Sequence, residues 1–181
     1  MTSVQARGLL MIEHRLIERT IAAMGRMLRD AKAGQGIDPR RLDLVTDFIH
    51  TYADRTHHGK EEDILFQELR SRPLTEPDRQ LMAELVQEHA RSRAVNGQLV
   101  AANARHRQGD PAALAEITAG LQTLVDLYPA HIDKEDRQFF PAARACLSPE
   151  EDRQLLEAFL RFDQGMIHEK YQTVVAALEE A

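Results

Sequence analysis

A single cysteine, Cys146, is all the thiol this chain has. One thiol cannot close an internal disulfide, and it removes thiolate-rich zinc and iron–sulfur sites from consideration. Long apolar runs are missing too: charge interrupts every hydrophobic stretch within a few residues, so none reaches membrane-spanning length. Residues 1–15 carry no apolar signal core, which leads to the expectation of a cytoplasmic protein. Lysine and arginine form no cluster and the formal net charge is −6, so nucleic acid is not expected as a partner, for want of concentrated positive charge. Sustained period-two alternation is absent, and β-structure is not expected.

What is present is a globular composition. Hydrophobic residues make up 43% and charged residues 29% of 181 positions, enough for one substantial core and short of a second domain. Helix starts are legible: Asp38-Pro39, Asp110-Pro111 and Ser148-Pro149 each set a capping oxygen before a proline at the first helical position. Ser148 with Glu151 completes a capping box, and Thr75-Glu76-Pro77-Asp78 reads similarly. Stops fall at Gly34 and Gly36, near Pro73 and at Gly109. The punctuation predicts helices near 3–33, 38–71, 76–107, 111–145 and 149–180. Short connections make the first four an up-down-up-down four-helix bundle, all-α, with an additional C-terminal helix packed alongside. Pro129 should kink the fourth helix or divide it just before His131.

Two segments repeat one pattern: His57-His58-Gly59-Lys60-Glu61-Glu62-Asp63-Ile64-Leu65-Phe66 and His131-Ile132-Asp133-Lys134-Glu135-Asp136-Arg137-Gln138-Phe139-Phe140. In each, a histidine precedes a glutamate by one helical turn, so imidazole and carboxylate share a face and reach the same point. The helix before each segment adds a matching pair, Glu13-His14 and Glu88-His89. The halves of the chain therefore look alike, each offering the same groups to a site on the bundle axis.

Apolar periodicity points these groups inward. His14 falls on the stripe Leu10, Ile17, Ile21, Met24 and Leu28; His57 and Glu61 fall on the stripe Ile49, Ala53 and Leu65. His131 and Glu135 share a face with Leu124, Tyr128 and Phe139, and His89 follows Leu81 and Leu85. Taken singly, an inward histidine is more often a hydrogen-bonded core residue, and a His-x-x-x-Glu pair is more often a surface pair. The matched set defeats that reading, because buried carboxylates without partners cost several kcal/mol, about as much as a domain can spare, so Glu61 and Glu135 demand a compensating cation. Glu62 and Asp136 lie one step off this face and should be solvated or stand behind the ligands, while His106 reads as an exposed loop residue. Imidazole and carboxylate without thiolate suit iron, manganese or zinc.

These residues, from Glu13-His14 to the segment ending at Pro141, resemble the hemerythrin-like family of HHE cation-binding domains over about residues 8–145. The resemblance implies a four-helix bundle around two non-haem iron ions, bridged by carboxylates and by an oxo or hydroxo group, and open to a small ligand. It implies His14 and His57 on one iron, His89 and His131 on the other, and Glu61 and Glu135 across both. One position departs from the oxygen-carrying members: Arg93 stands four residues after His89, where they have a further histidine. One iron should then be short of a ligand unless another residue supplies it, the candidates being His168 on the fifth helix, which we count with the metal set, and His50. His58 is set aside in favour of His57 because residue 132 is isoleucine. The function expected is binding or turnover of dioxygen, nitric oxide or peroxide, in oxidative or nitrosative stress, with peroxidase or other redox chemistry one form of it and an unidentified reductant. The alternative is iron storage, sensing or delivery to iron–sulfur clusters without catalysis.

Overall fold

The computed structural model describes the backbone of residues 5–179 and the side chains of residues 5–166. Five helices follow in order: α1 (Ala6–Lys32), α2 (residues 39–69), α3 (Glu76–Arg107), α4 (residues 113–145) and α5 (Pro149–Glu179). Three of the four predicted starts are made by the expected chemistry, while the fourth helix begins at Ala113, two residues beyond Pro111, with the Asp110 carboxylate accepting from the N–H of Ala112 ahead of it. The carboxylate of Asp38 accepts from the N–H of Arg40, Thr75 Oγ1 from Asp78, and Ser148 and Glu151 cap each other. Gly34, Gly36 and Gly109 take positive φ after α1 and α3, a region that side chains rarely enter. No strand occurs among the described residues, and no helix among them is long and apolar enough to cross a membrane.

Two dry layers fill the bundle. One joins Ile17, Ile21 and Met24 of α1 to Ile49 and Ala53 of α2, Leu99 of α3 and Leu121, Leu124 and Tyr128 of α4. The other joins Leu10, Leu65, Leu85 and Phe139 to Phe159 of α5. Along α1 and α3 the chain runs from the second layer to the first, and along α2 and α4 it returns, which is the up-down-up-down arrangement. Between the layers lie His14, His57, His58, Glu61, His89, His131 and Glu135, all buried. Each large apolar side chain buried there contributes about 1.5–3 kcal/mol, and together they support a polar layer that could not stand alone.

Pro129 does not divide α4, whose α-helical portion runs unbroken from Ala113 to Lys134. The proline is exposed, so the carbonyl it leaves unbonded can meet water. The irregularity comes one turn later. Residues Glu135–Phe139, like Ile49–His58 and Glu61–Leu65 in α2, adopt wide turns with bonds from residue i to i+5. Thr56 marks the longest of these, its hydroxyl donating to the carbonyl of Thr51, five residues back. A wide turn rotates successive side chains by less than an ordinary one, and here it brings two adjacent histidines, His57 and His58, to the bundle interior, both 1% exposed.

Candidate metal centre

His14 and His57 form the first of two imidazole clusters, with Nε2 atoms 2.9 Å apart. Glu135 Oε2 lies 3.2 Å from Nε2 of His14, and Glu61 Oε1 lies 3.7 Å from Nε2 of His57. His14, His57, Glu61 and Glu135 place four ligand atoms within 4.8 Å of one another, all on buried side chains. Phe140 lies parallel to the ring of His14 and closes one wall.

The second cluster holds three imidazoles, His58, His89 and His131, again within 4.8 Å. Nε2 of His89 and Nε2 of His131 are 3.2 Å apart, and the ring of His58 stacks on that of His89 with centroids 3.8 Å apart. His58 therefore stands at the end of the site where Arg93 withholds a histidine. The sequence reading set His58 aside in favour of His57 and left one iron short of a ligand, whereas both residues point inward, one to each cluster. The two-imidazole cluster is the one at His14 and His57. The stripe argument missed His58 because it assumed 3.6 residues per turn, and no simple sequence signal marks a wide turn.

Glu61 and Glu135 span both clusters. Glu61 turns Oε1 toward His57 and Oε2 toward His89, 3.5 Å away. Glu135 turns Oε2 toward His14 and Oε1 toward His131 and His89, at 3.3 and 3.7 Å. All four carboxylate oxygens, and both ring nitrogens of His58, are buried without a properly aligned hydrogen-bond partner. Native proteins rarely leave such atoms unpaired, and six converging on one layer fit cations held between them. The donor types, imidazole nitrogen and carboxylate oxygen, suit a borderline transition metal.

Behind the clusters lies a second tier, in which Glu62 and Asp136 stand behind the histidines as one of the two sequence alternatives had it, joined by Glu13 and Glu88, whose use the sequence did not show. His57 and His131 each give Nδ1 to the glutamate before the opposite histidine, Glu13 at 2.8 Å and Glu88 at 2.9 Å. His14 gives Nδ1 to the acid just after Glu135, Asp136 at 2.7 Å, and His89 to the acid just after Glu61, Glu62 at 2.8 Å. A cation backs each acid: Lys60 on Glu13, Lys134 on Glu88, Arg15 on Asp136 and Arg93 on Glu62. Carboxylates on Nδ1 fix the tautomer that turns Nε2 inward and make the ring a better donor. His58 has no such brace, since Asp54 Oδ1 is 3.7 Å from its Nδ1 and is itself bonded to Arg93.

Charge in this layer is divided unevenly. Burial alone would lower His14 and His131, but Asp136 and Glu135 push His14 up to about 9, and Glu135 with Glu88 pushes His131 up to about 10. Burial carries His57 down to about 4 against the pull of Glu13, and it lowers His58 well below the usual imidazole range. Burial and the neighbouring Glu135 raise Glu61 well above the carboxylate range, while the charge on His131 outweighs burial and holds Glu135 well below it. Burial would likewise raise Glu13, Glu62 and Glu88, but their histidine and cation partners hold each below the ordinary range.

The other candidates fall elsewhere. His50 is exposed and lines a cavity of about 640 Å³ between α2 and α3, outside both clusters. His168 lies on α5 with its side chain outside the described residues. His106 is not in a loop: it closes α3, half-buried, with Nε2 3.2 Å from the carbonyl of Ile37. A family model, the hemerythrin HHE cation-binding domain, matches residues 6–143. No curated protein and no solved structure matches the chain.

Proposed function

Because the chain belongs to the hemerythrin HHE cation-binding domain family, we propose that the buried layer holds two iron ions and that the protein binds or turns over a small ligand, dioxygen, nitric oxide or peroxide. One observation carries this reading: Glu61 and Glu135 each direct one oxygen to each cluster, an arrangement that serves a pair of cations and no single one. In it, His14 and His57 hold one ion, and His58, His89 and His131 hold the other. A pair of iron ions, when bound, supplies reversible one- or two-electron redox at a dry site.

The chain's own residues set the rest. Five neutral imidazoles bring less negative charge than a carboxylate-rich shell, which favours ligand binding and mild redox over strong oxidation. Phe66 and Phe140 flank His89 and His14 and keep water away from the polar layer. The two-imidazole cluster has fewer protein donors, which leaves more of its ion's positions to a small molecule. Metal analysis of the purified protein with its absorption spectrum, followed by anaerobic reduction and exposure to each ligand, tests the proposal. Two irons per chain and a ligand-specific spectral change support it. A protein that holds no metal as purified and takes up none on reconstitution overturns it, and iron released to a chelator without small-molecule chemistry favours storage or delivery.

A further inference from the structure

Lys60 belongs to neither cluster, yet it is fully buried. An ammonium group survives inside a protein where carboxylates compensate it. Two do so here: Glu13, and Asp163 of α5, whose Oδ1 lies 2.7 Å from Nζ. Through its other oxygen Glu13 accepts from Nδ1 of His57 at 2.8 Å. A continuous chain, Asp163 to Lys60 to Glu13 to His57, thus joins the half-exposed face of the fifth helix to the first cluster.

The opposite half supplies an internal control. Lys134 is the counterpart of Lys60, one residue before the bridging glutamate, and it binds Glu88, which braces His131. Lys134 is 21% exposed, and its second carboxylate, Glu84, lies on the same helix as Glu88. Among the described residues Lys60 pairs with a carboxylate of α5, and Lys134 pairs with α3 alone. The ring of Phe162 also closes on the bare backbone of Gly59, where an added Cβ would sit 2.8 Å from it.

We infer that Lys60 and Asp163 are positioning residues for His57, and that the C-terminal helix, beyond the segment matched by the family model, is through them a working part of the first cluster. The inference rests on the reading that this cluster holds a metal ion. Clamped by Lys60, Glu13 keeps its oxygen on the Nδ1–H of His57 and leaves the lone pair of Nε2 facing Glu61 and His14. Without the clamp, Glu13 can swing toward water and His57 can exchange tautomers and rotate.

The test compares Lys60→Met and Asp163→Asn with Lys134→Met, and uses Lys60→Arg as the conservative rescue, all in the full chain. In metal-free protein, two-bond proton–nitrogen correlation spectra of the imidazoles report the tautomer directly. His57 should hold its proton on Nδ1 in the wild type, in Lys134→Met and in Lys60→Arg, and should become mixed in Lys60→Met and Asp163→Asn. Titration with cobalt(II), followed by absorption, should show one of two binding events weakened tenfold to a hundredfold in those two variants, the range for lost outer partners, with the other event unmoved. An unchanged His57 tautomer in whichever of the two variants folds overturns the inference, as does equal weakening of both events. If the wild type binds no metal, the metal reading fails by itself and the tautomer measurement still decides the role of the clamp.

Discussion

His57 and His131 hold equivalent places in the two halves. Each precedes a bridging glutamate by four residues, gives Nδ1 to a glutamate from the preceding helix, and is backed by a lysine. The residue after His57 is His58, and the residue after His131 is Ile132. That one difference, with the wide turn that directs His58 inward, gives three imidazoles to one cluster and two to the other. Ile132 instead joins the dry layer beneath. Symmetry of scaffold and asymmetry of donors are thus separable, and substitutions can separate them further.

The largest effect should follow from removing what the clusters share. Glu61→Leu should reduce bound metal from two ions per chain to one or none, measured by elemental analysis. Because burial already raises Glu61 well above the carboxylate range, the metal-free variant should melt no lower than the metal-free wild type. A variant that binds two ions as tightly as the wild type would refute the bridging role. Next comes His58→Ile, which copies Ile132 into the first half and makes the clusters alike. One metal-binding event should weaken by about a hundredfold or more, beyond the usual cost of losing an outer partner, and the other should stay in place. If both events persist, His58 is packing alone.

The helices, their order and the inward set His14, His57, Glu61, His89, His131 and Glu135 were legible because caps, prolines and the helical period are local signals. His58 was not, because the wide turn at Ile49–His58 changes the period by an amount that only tertiary packing reveals. The Glu-His pairs were visible, but their cross-braced use was not: Glu13 serves His57 and Glu88 serves His131, each on another helix. Lys60 drew no reading from the sequence, because its partners come from two other helices, Glu13 on α1 and Asp163 on α5.

Acidity should show the clusters to be alike where their donors differ. In the metal-free protein each contains one histidine that stays protonated at neutral pH, His14 at about 9 and His131 at about 10, against an ordinary 6.5. Raised values mean that the folded state holds these protons more tightly, so their stabilisation is complete below about pH 6.5 and fades as pH rises toward 9 and 10. His57, lowered to about 4, acts in the opposite window, where stability falls as pH drops from 6.5 toward 4. The summed contribution of these three histidines to metal-free stability should therefore be greatest near pH 6.5. Metal binding requires neutral imidazole and releases protons, so the melting increment given by metal should widen between pH 6.5 and 9. A flat metal-free profile would count against the charged His14 and His131.

The smallest effect is expected at the exposed cations. Arg15 backs Asp136 as Lys60 backs Glu13, but its side chain is 54% exposed and that of Lys60 is fully buried. Water and salt can replace an exposed guanidinium at little cost, and such pairs are worth about 0–1 kcal/mol. Arg15→Ala should shift the melting temperature of the metal-free protein slightly and leave the hydrogen bond from His14 in place, because Asp136 still reaches Nδ1. Lys60→Met removes a cation that water cannot reach, and strands Glu13 beside a histidine and Asp163. The ratio of the two effects, read by thermal melts at low and high salt, measures how far burial rather than charge alone makes the first cluster depend on α5. Equal, salt-sensitive losses would mean that Lys60 is as wet as Arg15, and the internal clamp would have no special standing.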